Sequence, residues 1–189
     1  MPKRHRPASR RQIATPTEIV HFLDRWYAQV RDCIAANRTF RAPIALGTPK
    51  MCAFVTESFA VYLVNHGYLR SLLPEVHQAT LARGTGGEPD VALTQRDGSS
   101  ATLEVKSTGP TTWQRASAKD AAADYFLWIN LGPFCEGTGT ARVWVLRQPH
   151  RYLRQGLDWR SEKEFVRRTE KDVMCLEIHV AALLAQRAA

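Results

Sequence analysis

Apolar residues first recur at helical spacing. Ile19, Phe22, Leu23, Trp26, Tyr27, Val30 and Ile34 fall three and four apart, the stripe of a helix with one buried face. Thr15-Pro16-Thr17-Glu18 predicts where that helix starts. Thr15 is the cap, Pro16 suits the first helical position, and Glu18 is the carboxylate of a capping box. The pattern runs to about Ala36. Thr48-Pro49 predicts the opening of a second helix, closed at Gly67 by a C-terminal cap. From Met51 to Val64 nearly every position is apolar, which predicts burial on most of the helix surface. Glu57 interrupts the run, on one face with Phe54 and Val61 at helical spacing.

The period then shortens. Val76 to Ala82 reads as a strand, and a glycine-rich turn from Arg83 to Pro89 leads into a short strand from Asp90 to Thr94. Arg96-Asp97-Gly98-Ser99 predicts a hairpin turn, because the Asp-Gly step favours positive backbone angles. Ala101 to Lys106 is the returning strand. A helix is predicted from about Trp113 to Ala123, then buried strands from Tyr125 to Leu131 and from Ala141 to Leu146. Ser161 caps a further helix to Thr169, with Glu164 in its third position. Val173 to Ala185 suits either a strand or a helix. No internal repeat or low-complexity segment appears.

Length and composition bound the answer. A chain of 189 residues with 44% hydrophobic positions fits one domain with a substantial core. The expected organisation is a flexible basic arm over residues 1–14 and one domain over 15–189. No apolar run is long enough to cross a bilayer, and the start of the chain lacks the apolar stretch of a secretory signal. A cytoplasmic, prokaryotic protein is expected. Cys33, Cys52, Cys135 and Cys175 stand far apart, with no C-x-x-C pair, so they read as reduced and mostly buried thiols.

Charge narrows the partner. The formal net charge of +8 points to a polyanion, since a basic surface draws in phosphates and releases their counterions. Lys3, Arg4, Arg6, Arg10 and Arg11 precede the first acid, Glu18, and Arg142, Arg147, Arg151, Arg154, Arg160, Arg167 and Arg168 form a second basic stretch.

Candidate chemistry sits on the central hairpin. On a strand, residues two apart share a face, so Glu104 and Lys106 point one way while Leu103 and Val105 pack the other. Asp90 starts the adjacent strand and can lie near Glu104. Two close carboxylates repel unless a cation sits between them, and oxygen ligands with room for water suit Mg2+. A lysine beside that ion can orient or deprotonate an attacking water and stabilise the transition state. The set suits phosphodiester hydrolysis. Redox and acyl chemistry fit poorly, because no glycine-rich phosphate cradle or nucleophile elbow appears. The six histidines show no metal-ligand spacing.

Pro89-Asp90 followed by Glu104-Val105-Lys106 resembles the signature of the PD-(D/E)XK nuclease superfamily, which includes most type II restriction endonucleases. The predicted elements from residue 49 to 146 are similar to its αβββαβ core, a mixed central β-sheet flanked by helices in an α/β (α+β) fold. The resemblance covers about half of the chain. It implies Mg2+ as cofactor, with Mn2+ able to substitute, held by Asp90 and Glu104, with Lys106 catalytic. It further implies roles for Glu57, where many members carry a metal-site glutamate, and for Gln114, where many carry a glutamine. Lys119 would approach phosphate. The expected activity is an endonuclease cutting double-stranded DNA at a short specific sequence as a homodimer. A structure-specific junction or repair nuclease, and a non-catalytic DNA-binding protein on the same fold, are the alternatives.

Overall fold

The computed structural model describes residues 13–39, 52–82, 89–109, 114–154, 156–169, 172–180 and 182. The basic arm, except for its last two positions, and residues 83–88 of the turn before Pro89 lie outside them. Helix α1 (Pro16–Thr39) begins as predicted. The Thr15 amide donates to Glu18 Oε2 at 2.7 Å and the Glu18 amide to Thr15 Oγ1 at 3.3 Å, so both halves of the capping box form. Ile19, Leu23, Trp26 and Val30 supply its buried stripe.

Helix α2 (Ala53–Asn65) starts later than expected. Cys52 is its N-cap, with extended backbone at φ −66° and ψ 124°, and the expected opening at Thr48-Pro49 lies outside the described residues. Its end follows the expectation. Gly67 takes φ 76°, its amide donates to the Val64 carbonyl, and the Tyr68 amide reaches back to Leu63. This double return satisfies carbonyls that the last turn leaves open.

Strands β1 (Val76–Leu81), β2 (Val91–Gln95) and β3 (Ser100–Thr108) form an antiparallel meander. Gly98, at φ 84°, closes the hairpin between β2 and β3. The chain then forms β4 (Gln114–Ala116), a 3-10 helix (Ala118–Ala122) and β5 (Tyr125–Asn130), which pairs parallel with β3. After α3 (Gly132–Cys135), β6 (Thr140–Arg147) runs antiparallel to β5. Then come α4 (His150–Leu153), β7 (Leu157–Trp159), α5 (Glu162–Thr169) and β8 (Val173–His179), which pairs antiparallel with β6. The sheet order is β1-β2-β3-β5-β6-β8, with β4 and β7 forming a separate ribbon. The fold is thus mixed α/β, a six-stranded mixed sheet flanked by helices.

Two further sequence expectations are corrected, and one left open is resolved. The helix predicted from Trp113 to Ala123 is instead β4 and a 3-10 turn. Gln114-Arg115-Ala116 pairs with Trp159-Asp158-Leu157, and this tertiary pairing overrides local helix propensity. The undecided segment from Val173 is a strand, and it enlarges the sheet beyond residues 49–146. Of the free cysteines only Cys135 is buried, while Cys52 and Cys175 are exposed. Among the described residues, no helix is long and apolar enough to cross a membrane.

Two apolar clusters cover the two faces of the sheet. On one, α1 and α2 pack on Leu103, Val105, Leu127, Ile129, Val143 and Val145. On the other, Phe126, Trp128 and Leu146 meet Trp159 of β7 and Phe165 of α5. Glu162 ties α5 to this face, accepting from Asn130 Nδ2 at 2.8 Å, Trp144 Nε1 at 3.1 Å and Arg142 Nη1 at 2.6 Å. The central strand β5 is therefore covered on both sides, and its neighbour β3 is buried on the α2 side. A polar group that is buried on either strand must find its partner inside the protein.

Candidate active site

Strand alternation sends Leu103 and Val105 toward α2, and Glu104 and Lys106 toward the opposite face. There they lie in register with Phe126 and Trp128 of β5. Glu104 is only 2% exposed. Lys106 is half-buried.

Asp90 comes from the end of the neighbouring strand. The last β2–β3 pair is Val91 with Leu103, so the next position sets Asp90 opposite Glu104. Here β2 stops while β3 continues to Thr108, paired with β5 alone. Asp90 Oδ2 fills the gap in the ladder, accepting the Val105 amide at 2.9 Å. The place where the two strands part is therefore lined by Asp90, Glu104 and Lys106. The two carboxylates interact: the charge of Asp90 contributes to raising the Glu104 carboxyl.

A fourth residue, not singled out in the sequence, completes the group. Lys106 Nζ donates to Glu104 Oε1 and lies 3.2 Å from Asp120 Oδ1. Asp120 is buried in the 3-10 helix that follows β4. Its other oxygen, Oδ2, accepts the Ser117 amide at 2.6 Å and the Ser117 hydroxyl at 3.2 Å. Ser117 caps the turn and Asp120 occupies its third position, so the cap that shapes the crossover also aims a carboxylate at Lys106. The Ser117-x-x-Asp120 spacing was readable in the sequence. The pairing with Lys106 was not, since it depends on how the crossover packs.

The charges follow from this geometry. Burial pushes the Glu104 carboxyl up to about 7, assisted by Asp120 and Asp90 and opposed by Lys106. Asp120 moves the other way. Burial would raise it, but the proton shared from Glu104, the Ser117 amide and Lys106 together hold it below the usual carboxylate range. Burial would likewise lower the Lys106 ammonium, yet Glu104 and Asp120 hold it above its ordinary value. At neutral pH the lysine is therefore a fixed cation between two carboxyl groups, and Glu104 retains part of its proton.

A stability prediction arises here. The folded-state value for Glu104 lies above the unfolded one. Its contribution is therefore fully present below about 4.5, the ordinary glutamate value, and is lost as pH rises through about 7. Glu104→Gln keeps the neutral shape and removes the titration. In a chelator, wild type should lose stability relative to Glu104→Gln between pH 5 and 8, by on the order of 2 kcal/mol. Parallel denaturation curves across that window would refute the assignment.

The remaining expected residues lie on other elements. Glu57 is half-buried on α2, which packs on the Leu103 and Val105 side of β3. Thr56, its neighbour, meets Ser107 there, with Oγ1 and Oγ 3.1 Å apart. Gln114 is corrected from a helix position to β4, opposite Trp159, and Lys119 lies in the 3-10 helix. Among the described residues, no three His, Cys, Asp or Glu side chains converge as a metal cage. The chain matches no family of known proteins, no curated protein and no solved structure.

Proposed function

We propose that this chain is a Mg2+-dependent endonuclease of double-stranded DNA, built on the PD-(D/E)XK plan and working as a homodimer. The observation that carries the reading is the convergence of Asp90, Glu104 and Lys106 where β2 and β3 part. That convergence comes from register and alternation rather than from the motif alone.

The donor set fits a hard cation. Asp90 and Glu104 offer carboxylate oxygens from facing positions, and Mg2+ is commonly bound through one or two carboxylates, keeping several waters. When bound, the ion supplies Lewis-acid polarisation of the scissile phosphate. The chain's residues supply the rest. To hold such an ion, Glu104 would give up its proton and its contact with Lys106. Lys106 stays charged against Asp120, so it orients the attacking water and stabilises the charge growing on the phosphate oxygens. An ammonium paired with both Glu104 and Asp120 is held above its ordinary value, which favours orienting the water over deprotonating it. In the hydrolysis, water adds to phosphorus and loses its proton to solvent, one phosphorus–oxygen ester bond breaks, and the leaving oxygen takes a proton from solvent.

The direct test is incubation of the full chain with plasmid and Mg2+, followed by end mapping. Discrete fragments are expected. A smear would retain a nuclease and remove sequence specificity. Intact DNA under Mg2+ and Mn2+ would overturn the reading in favour of a DNA-binding protein.

A further inference from the structure

Far from Asp90, at the other end of β2, a cleft of about 370 Å³ opens between the end of α2, the turn after it and the β1–β2 pair. Its polar lining is Asn65, His66, Arg70, His77 and Arg96, with no carboxylate among the lining residues. Six strand steps separate Asp90 from Arg96, roughly 20 Å.

Two of the basic groups are held in place. Arg96 donates from Nε to the Pro74 carbonyl at 2.9 Å, and its amide to Glu75 at 2.8 Å. Those bonds anchor the side chain and leave its terminal guanidinium nitrogens for a ligand. His66 Nδ1 donates to the Tyr62 carbonyl at 2.9 Å, and the ring stacks on Tyr62 with centroids 4.1 Å apart. Its Nε2 is left as the remaining polar atom. Arg70 and His77 are exposed and have no polar partner among the described residues. The nearby acid, Glu75, is engaged elsewhere, accepting from Tyr125 Oη at 2.7 Å and pairing with Arg147 at 3.1 Å. The cleft thus gathers two guanidinium and two imidazole groups without an internal counter-anion.

We infer that this cleft is a second anion site, taking a phosphate group through Arg70 and Arg96 with His77 as a further donor. Guanidinium groups match phosphate oxygens with paired hydrogen bonds. The phosphate belongs either to a DNA backbone several nucleotides from the scissile bond or to a free phosphorylated small molecule. The site itself does not depend on the nuclease reading.

Titration of the full chain with inorganic phosphate, followed by amide and imidazole NMR against a chloride control, tests it directly. Saturable shifts confined to the cleft are expected at millimolar phosphate. Arg70→Gln with His77→Gln, both exposed, should weaken that binding about tenfold. Lys163→Gln, exposed on α5, should leave it unchanged. Equal weakening by Lys163→Gln would reduce the effect to general surface charge and overturn the site, as would shifts that never saturate. Duplex DNA distinguishes the sources. If the backbone is the ligand, Arg70→Gln should lower the salt slope of DNA binding by about one. An unchanged slope with phosphate binding intact assigns the cleft to a small phosphorylated ligand.

Discussion

Asp90→Asn and Glu104→Gln should each abolish Mg2+-supported cleavage while leaving the fold intact. Both substitutions remove a carboxylate charge and keep shape. An asparagine at 90 can still accept the Val105 amide, which Asp90→Ala would strand at a cost of about 1–3 kcal/mol. A glutamine at 104 resembles the half-protonated carboxyl already present at neutral pH. Loss of activity therefore cannot be attributed to unfolding, provided the variants melt near wild type. Mg2+ binding measured by calorimetry should fall in both, since a cation between facing acids needs their charge. DNA affinity without metal should hold or rise, because repulsion between carboxylate and phosphate is relieved. Cleavage by Asp90→Asn within tenfold of wild type would remove Asp90 from the site, and with it the proposed chemistry.

Lys106→Ala should cost about 10²–10⁴ in cleavage rate, the usual range for a positioned group acting at the transition state. Metal binding should be retained, because Glu104 no longer shares its oxygen with an ammonium. Asp120→Asn is the more informative partner. It preserves an acceptor for the Ser117 amide and so the turn, but it releases Lys106 from its second contact. The expected result is a fall of roughly tenfold or more in kcat, with KM little changed, as befits a residue that positions another. Added to Lys106→Ala, Asp120→Asn should then do almost nothing, since residues that act through one another are not additive. Fully additive losses would show that Asp120 works independently of the lysine.

The local signals that proved reliable were those decided by neighbouring residues. Thr15 and Glu18 cap α1 because both partners lie within one turn, and Gly67 closes α2 for the same reason. The alternation of Leu103, Glu104, Val105 and Lys106 followed from the pleat alone. The crossover was different. Gln114 to Ala116 extend because Leu157 to Trp159 run alongside, more than forty residues later, and no window around Gln114 contains that information. Asp120 was hidden by the same error. Inside a regular helix nothing marks Ser117 and Asp120 out; the observed turn brings the carboxylate to Lys106 of β3. The exposure of Cys52 likewise depends on where α2 begins.

The internal ammonium has one more consequence, for the order of events. In small domains whose charged ligands have no other partner, the ion is part of folding, and chelation unfolds the chain. Here Lys106 already balances Glu104 and Asp120 on one face of β3. The acids have a resident counter-charge from the moment the strand is in place. If the proposed Mg2+ binds, the sheet would already be closed before it arrives, with Asp120 still holding Lys106. Magnesium depletion should then leave this protein folded and idle rather than unfolded.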